Sequence, residues 1–457
     1  MTLFLKFFFR SFVVISIIFF IYTFYKSEIY WSGTRKDYYS SYFLLFGFLI
    51  LSLVIILYLK DIIKVYLFII ISCIICSLYS FEAYTILHKI NYEEEILNKK
   101  IEFLKKSSAK NFDTRNKLEF FNDSIKKNKN ITLRTPPSFF LNENKNLSPL
   151  SGMSNSETIT CNEMGYYAVY LSDRYGFNNP DSAWDQQEIE YLIVGDSFAH
   201  GACVNRPNDI GSVLRKLSNQ SVLNLAYANN GPLLEYATLR EYLKPNVKNV
   251  LFVYYEGNDF ADLDREINSE ILLEYLKDLN FSQKLKSRQN EIDDMVRNKI
   301  IKNINDPNII KSKKNIFKIG LDFIRLSSSR GFFYNKKKSI PQNSLQFKEI
   351  LKLAKNLSVN NNSNFYFIYL PSMARYLPLS KKDVNIYDES YILVKKIINE
   401  LGIEFIDIHE EVFLKKNNPL QFFPFKDKLL PFVDTKLHYN IEGYEIISDT
   451  IHKIISK

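Results

Sequence analysis

A chain of 457 residues with a net charge of +9 exceeds the usual size of one domain and leaves ample length for a sizeable core. Its Lys residues are scattered through polar stretches such as Lys99–Lys106 and Lys311–Lys314. No aromatic-and-basic module accompanies them, so the charge points away from nucleic acid and toward a solvated or lipid-facing basic surface.

Three apolar runs open the chain, at about Leu3–Tyr25, Tyr42–Leu59 and Ile62–Tyr79, each long enough or nearly so to cross a hydrocarbon core. A cleavable signal peptide would account for the first alone, so two further runs argue for a permanent anchor over residues 1–80. Lys60, Asp61 and Lys64 form the polar turn between the second and third. Three crossings from a cytoplasmic start deliver the soluble part of the chain to the extracytoplasmic side. The loop charges nearly balance, with Lys6, Arg10, Lys60 and Lys64 set against Lys26, Arg35 and Lys36. Cys73 and Cys76 fall within an apolar run and read as small buried hydrophobes.

The next stretch, 81–158, reads as a stalk and linker. Apolar positions from Tyr84 to Leu104 recur at helical spacing, and Pro136, Pro137 and Pro149 punctuate a polar stretch after about residue 129. From about residue 159 to the end, short apolar or aromatic runs alternate with helical patterns. The runs are Tyr191–Val194, Val250–Tyr255, Phe365–Leu370 and Glu404–Ile408. Strands covered on both faces and separated by helices predict an α/β class: a three-layer α/β/α domain on a parallel sheet, flavodoxin-like, following three transmembrane helices. The Lys-rich helical stretch at about 260–344 is too long for an ordinary crossover and reads as a peripheral insertion, or more sharply as a lid or partner-docking element. Cys161 and Cys203 stand as the only two cysteines of this part, a pair that suggests a disulfide in an exported domain.

Three turns carry candidate chemistry. Tyr191–Val194 runs into Gly195-Asp196-Ser197-Phe198-Ala199-His200-Gly201, which puts Ser197 at the carboxyl end of the sheet, where open α/β folds bind ligands and helix N-termini favour anions. The same residues also suit a plain helix N-cap. Gly257-Asn258-Asp259 follows the strand Val250–Tyr255, and Asn229-Asn230-Gly231-Pro232 lies between the two. Asn258 offers a side-chain amide and Gly231 an approachable N–H, although Gly, Asn and Asp also build ordinary loops. Near the C-terminus Asp434 and His438 are one helical turn apart, so a carboxylate there reaches His438 Nδ1 and leaves Nε2 for a serine proton. His409 beside Asp407 is the rival base, while His200 shares the serine's turn and reads as packing.

In this order the blocks Gly195-Asp196-Ser197, Gly231, Gly257-Asn258-Asp259 and Asp434 with His438 resemble the SGNH (GDSL-like) hydrolase superfamily over about 161–457. The resemblance implies Ser197 as nucleophile, His438 as base and Asp434 as its orienter, with oxyanion donors from the Ser197 amide, Gly231 and Asn258. Two blocks depart from the pattern: the second reads Asn-Asn-Gly-Pro, and one extra residue separates Asp434 from His438. The segment Asp173–Pro180 is similar to one preceding the nucleophile in membrane-tethered members.

The implied activity is a membrane-anchored serine esterase or O-acyltransferase working through an acyl-serine, with no cofactor or metal. Tethered members of the superfamily add or remove O-acetyl groups on envelope polysaccharide, which implies an acylated polysaccharide or other ester as substrate. The anchor meets membrane lipids, and a transferase would need a multi-span membrane acyl donor as partner. The competing readings are a catalytically idle binding module at the membrane and a lipid esterase.

Overall fold

The structure is a computed structural model that describes the chain apart from residues 1, 31–32, 34–35, 107–112, 145, 306–315, 334–342, 378–380 and 425–436. The chain divides into two compact units, one of Met1–Glu93 with Lys314–Asn335 and one of the remainder.

The first unit begins with α1 (Thr2–Phe24), α2 (Lys36–Tyr58) and α3 (Asp61–Lys106). The spans long and apolar enough to cross a membrane are Leu3–Tyr30, Tyr39–Tyr58 and Asp61–His88. The third does not end at the expected stalk boundary: α3 continues the span unbroken to Lys106, because no Gly or Pro interrupts it.

In the second unit α4 (Lys117–Ile125) starts on a capping box, Asn116 taking the Glu119 N–H while the Glu119 side chain returns to the Asn116 N–H. Residues 129–158 are not the linker that their prolines suggested. β1 (Ile131–Leu133) pairs parallel with β2 (Glu157–Ile159), which pairs antiparallel with β3 (Val169–Leu171). Phe140, Leu147 and Leu150 are buried in the main core, apolar burial that an exposed tether would lack.

The main sheet holds β4 (Ile189–Gly195), β5 (Val222–Asn224), β6 (Val247–Tyr255), β7 (Asn364–Leu370) and β8 (Glu404–Asp407) in the order β5-β4-β6-β7-β8, all parallel. This is the doubly wound flavodoxin-like order, whose switch point lies between the first and third strands of the sheet. Alternation along β4 sends Leu192 and Val194 to one face and Tyr191 and Ile193 to the other. One face packs on α7 (Pro232–Tyr242), α13 (Ser344–Asn360) and α14 (Lys381–Leu401), the other on α6 (Ile210–Ser218) and α15 (Ile441–Ile455), giving three layers. The short α5 (Ser197–His200) caps β4.

The insertion divides. Its first half, α8 (Asp259–Glu266), α9 (Glu270–Lys277) and α10 (Gln289–Asn305), buries Leu263, Leu272, Tyr275, Ile292 and Val296 in the core beside α7. Its second half, α11 (Ile316–Ile324) and α12 (Ser327–Phe333), belongs to the membrane-helix unit.

Candidate active site

The turn after β4 is shaped by close packing. A Cβ on Gly195 would come within 2.5 Å of Ala199 Cβ and 2.9 Å of Val253 O, and Gly201, at φ +76°, would place one 2.3 Å from Asp209 Cβ. These two positions accept only glycine without rearrangement. Asp196 caps α5, its carboxylate accepting from the Phe198 N–H at 2.8 Å. Ser197 is thereby set at the first turn of α5, 8 % exposed.

His438 arrives from the other end of the unit. Tyr439 donates its hydroxyl to Pro371 O at 2.6 Å, and the Asn440 side chain caps α15 while donating to Gln421 O and Phe423 O. The imidazole packs on the Phe198 ring, centroids 4.6 Å apart, and Phe198 stacks on Tyr255. His438 Nε2 lies 2.8 Å from Ser197 Oγ.

The group facing His438 Nδ1 is Glu163, its Oε1 at 3.0 Å, while its Oε2 accepts the His438 backbone N–H at 2.7 Å. Burial opposes the charge on Glu163, but the attraction of His438 and its hydrogen bonds outweigh it and hold the carboxyl below the usual range. Asp434, the expected orienter, lies outside the described residues.

Glu163 sits in the loop between β2 and β3, outside the main sheet. Cys161, two residues earlier, is joined to Cys203, three residues beyond α5. The bridge fixes the acid's loop to the serine's turn, and Cys203 Sγ comes 3.4 Å from His438 Nδ1. Cys161, Glu163, Cys203 and His438 also cluster as metal ligands would, but metal ligation needs thiolates and these two sulfurs are bonded to one another.

The expected oxyanion donors differ from one another. The Gly231 N–H donates to Glu266 Oε1 at 2.5 Å, and Glu266 Oε2 accepts from Leu233 and Leu234 N–H at 3.0 and 3.3 Å. The N-terminus of α7 is thus filled by the carboxyl group of Glu266 from α8, and the Gly231 amide is not offered to a ligand. Asn258 Nδ2 donates one hydrogen to Asp262 Oδ2 at 2.7 Å, which leaves its second for another acceptor. Beneath these loops Asp196, Glu235, Asp259, Asp262 and Glu266 are buried together. Burial raises every one, and repulsion from neighbouring acids adds to it for all but Asp196: Asp196 to about 6, Asp262 to about 7, Glu266 to about 8, and Glu235 and Asp259 well above the usual value.

Two other histidines do other work. His409 Nδ1 is 2.6 Å from the Tyr376 hydroxyl, and burial pushes its pKa down to about 4. His200 lies edge-on to Tyr170 and Tyr227, a packing role, and burial pushes it well below the usual value. In the segment Asp173–Pro180, Asp173 accepts from the Tyr175 and Phe177 N–H groups, closing a turn, and from Asn179 Nδ2 at 2.9 Å. Asn179 also bonds Asn224, whose amide reaches Ala199 O at 2.8 Å. That chain braces the turn that carries Ser197.

No family model and no curated protein matches the chain. Among solved structures it is similar to a protein described as lipolytic and of the G-D-S-L family from Desulfitobacterium hafniense DCB-2, at 13 % identity and a TM-score of 0.30, covering 58 % of this chain and 99 % of that one. It is similar to the acetyl xylan esterase AlAXEase at 10 % identity and a TM-score of 0.33, over 58 % and 100 %. A third, the salicylyl-acyltransferase SsfX3 from a tetracycline biosynthetic pathway, shows 9 % identity and a TM-score of 0.31, over 59 % and 55 %. At these scores none carries chemistry to this chain, which rests on its own site.

Proposed function

We propose that this chain is a membrane-anchored serine esterase or O-acyltransferase of the SGNH type, acting through an acyl-serine. The observation that carries the reading is the line of contacts Ser197 Oγ to His438 Nε2 at 2.8 Å and His438 Nδ1 to Glu163 at 3.0 Å, at the carboxyl end of a parallel sheet.

In this mechanism Glu163 fixes the tautomer with hydrogen on Nδ1 and stabilises the imidazolium, a role the resemblance had given to Asp434. His438 takes the Ser197 proton as Oγ attacks the ester carbonyl, then returns it to the leaving alcohol. The developing oxyanion is met by the Ser197 amide at the start of α5 and by the second N–H of Asn258. Gly231 has no part in this while Glu266 holds its amide. Water or a sugar hydroxyl resolves the acyl-serine, giving hydrolysis or transfer. The substrate class favoured is O-acylated envelope polysaccharide, with a multi-span membrane protein as acyl donor if the reaction runs as transfer.

The test uses the purified full-length chain in detergent. A fluorophosphonate probe should label Ser197 and nothing in Ser197→Ala, and acetylated sugars should be deacetylated by the parent chain alone. Absence of labelling in a folded protein would favour an idle binding module. Turnover of phospholipid in place of acetylated sugar would favour a lipid esterase.

A further inference from the structure

Between Lys311 and Lys338 the sequence carries nine Lys or Arg residues against one acid, Asp322. That is nearly the whole of the chain's net charge of +9. Within this stretch α11 reads Ile-Phe-Lys-Ile-Gly-Leu-Asp-Phe-Ile. On a 3.6-residue period its apolar residues fill one broad arc, and Lys318 and Asp322, with Arg325 just beyond, share the opposite side. A short basic amphipathic helix of this kind suits the plane of a bilayer surface.

Its place in the membrane-helix unit agrees. Tyr79 of α3 donates its hydroxyl to Ile324 O at 3.2 Å, and its ring lies 5.1 Å from that of Phe323. The buried Glu82 carboxylate accepts from the Ser328 and Ser329 N–H groups and from Ser329 Oγ at 2.7–2.8 Å. From Asp61, a hydrocarbon core of about 30 Å is crossed in about 20 helical residues. Tyr79 and Glu82 therefore fall where the span leaves the core, at the level of the headgroups. Ile324 is 66 % exposed, and Tyr84 and Leu87 of α3 are exposed as well.

We propose that α11 and α12 form an interfacial element lying on the leaflet at the C-terminal end of the third span. Its apolar arc enters the acyl-chain boundary, and its basic residues bind anionic lipid headgroups. The chain thus meets the bilayer a second time, more than 200 residues after the third span and independently of the enzymatic reading. A structural insertion with no lipid contact would not need a sequence of nine basic residues and one acid that includes an apolar helical arc.

The test places an environment-sensitive fluorophore at Ile324→Cys in the full chain, with Cys73→Ala and Cys76→Ala and the bridge kept oxidised. The protein is set in nanodiscs of phosphatidylcholine with or without phosphatidylglycerol. Quenching of about twofold by lipids brominated near the carboxyl end of the acyl chain, with little quenching by aqueous iodide, is the expected result. The lipid quenching should weaken without phosphatidylglycerol, or when Lys318, Arg325 and Arg330 are replaced by Gln. A label open to iodide and untouched by brominated lipid overturns the proposal. So does one shielded from both, which signals a protein partner, and equal quenching in the two lipid mixtures overturns the headgroup role. Should the Ile324→Cys protein fail to assemble, the same readings at Leu321→Cys decide.

Discussion

Two strand-to-helix turns stand side by side at the carboxyl edge of the sheet, after β4 and after β5, and they have opposite fates. In the first, Asp196 caps α5 from within the turn and Ser197 faces His438. In the second, the amides at the start of α7 are closed by Glu266, a residue 35 positions downstream of Gly231. Both have the glycine and the helix N-terminus that invite an anion. A helix start is open to a ligand only when no side chain of the chain already occupies its amides.

Ways to break that comparison begin with the first turn. Ser197→Ala should remove about 10⁴-fold or more of kcat with the thermal midpoint unchanged. Glu163→Gln should cost about 10²–10⁴-fold in kcat with KM nearly unchanged, and Glu163→Asp should recover part of it, whereas Asp434→Asn should cost less than about tenfold. The reverse ranking would return the orienting role to Asp434. Asn258→Ala should lose about 10²–10³-fold. Gly231→Ala should act on folding, since its Cβ would meet Asp262 Cβ and Leu263 N at 2.8 Å. A Gly231→Ala protein that is fully stable yet inactive would show that its amide serves the reaction.

Replacing Cys161 and Cys203 by Ser opens a bridge of sequence separation 42, for which chain entropy gives about 4 kcal/mol of lost stability by chemical denaturation. A last effect concerns pH. Asp196, Asp262 and Glu266, raised to about 6, 7 and 8, keep protons in the folded state that the unfolded chain has released above about 4. In that window the folded state binds more protons, so stability should fall as pH rises from about 4 to about 8 and level off beyond. A thermal midpoint that climbs from pH 5 to pH 8 would contradict this.

The Ser197 and His438 pair was legible because each sits in a polar cluster beside an apolar run, a short-range signal. Glu163 was not, since nothing local separates it from other surface acids. The cysteines held the missing clue: a bridge from Cys161 to a residue six beyond Ser197 brings the Cys161-Asn162-Glu163 stretch to the serine. The Gly231 amide was misjudged for a related reason, as its acceptor comes from a different helix. Prolines 136, 137 and 149 suggested a linker where Pro136 and Pro137 open a 3-10 turn over Phe140, a core residue. The insertion's period showed helices but not that its halves join different units, a matter of long-range packing.

Because Glu163 comes from the loop after β2, and β2 is held by β1 at Ile131–Leu133, the working unit begins well upstream of the five-stranded sheet. A soluble fragment cut at about residue 150 would keep the serine and the imidazole yet lose α4 and β1, unseating the hairpin that brings the acid. Such a fragment could fold and still turn over slowly, and its weakness would be a fault of where it was cut.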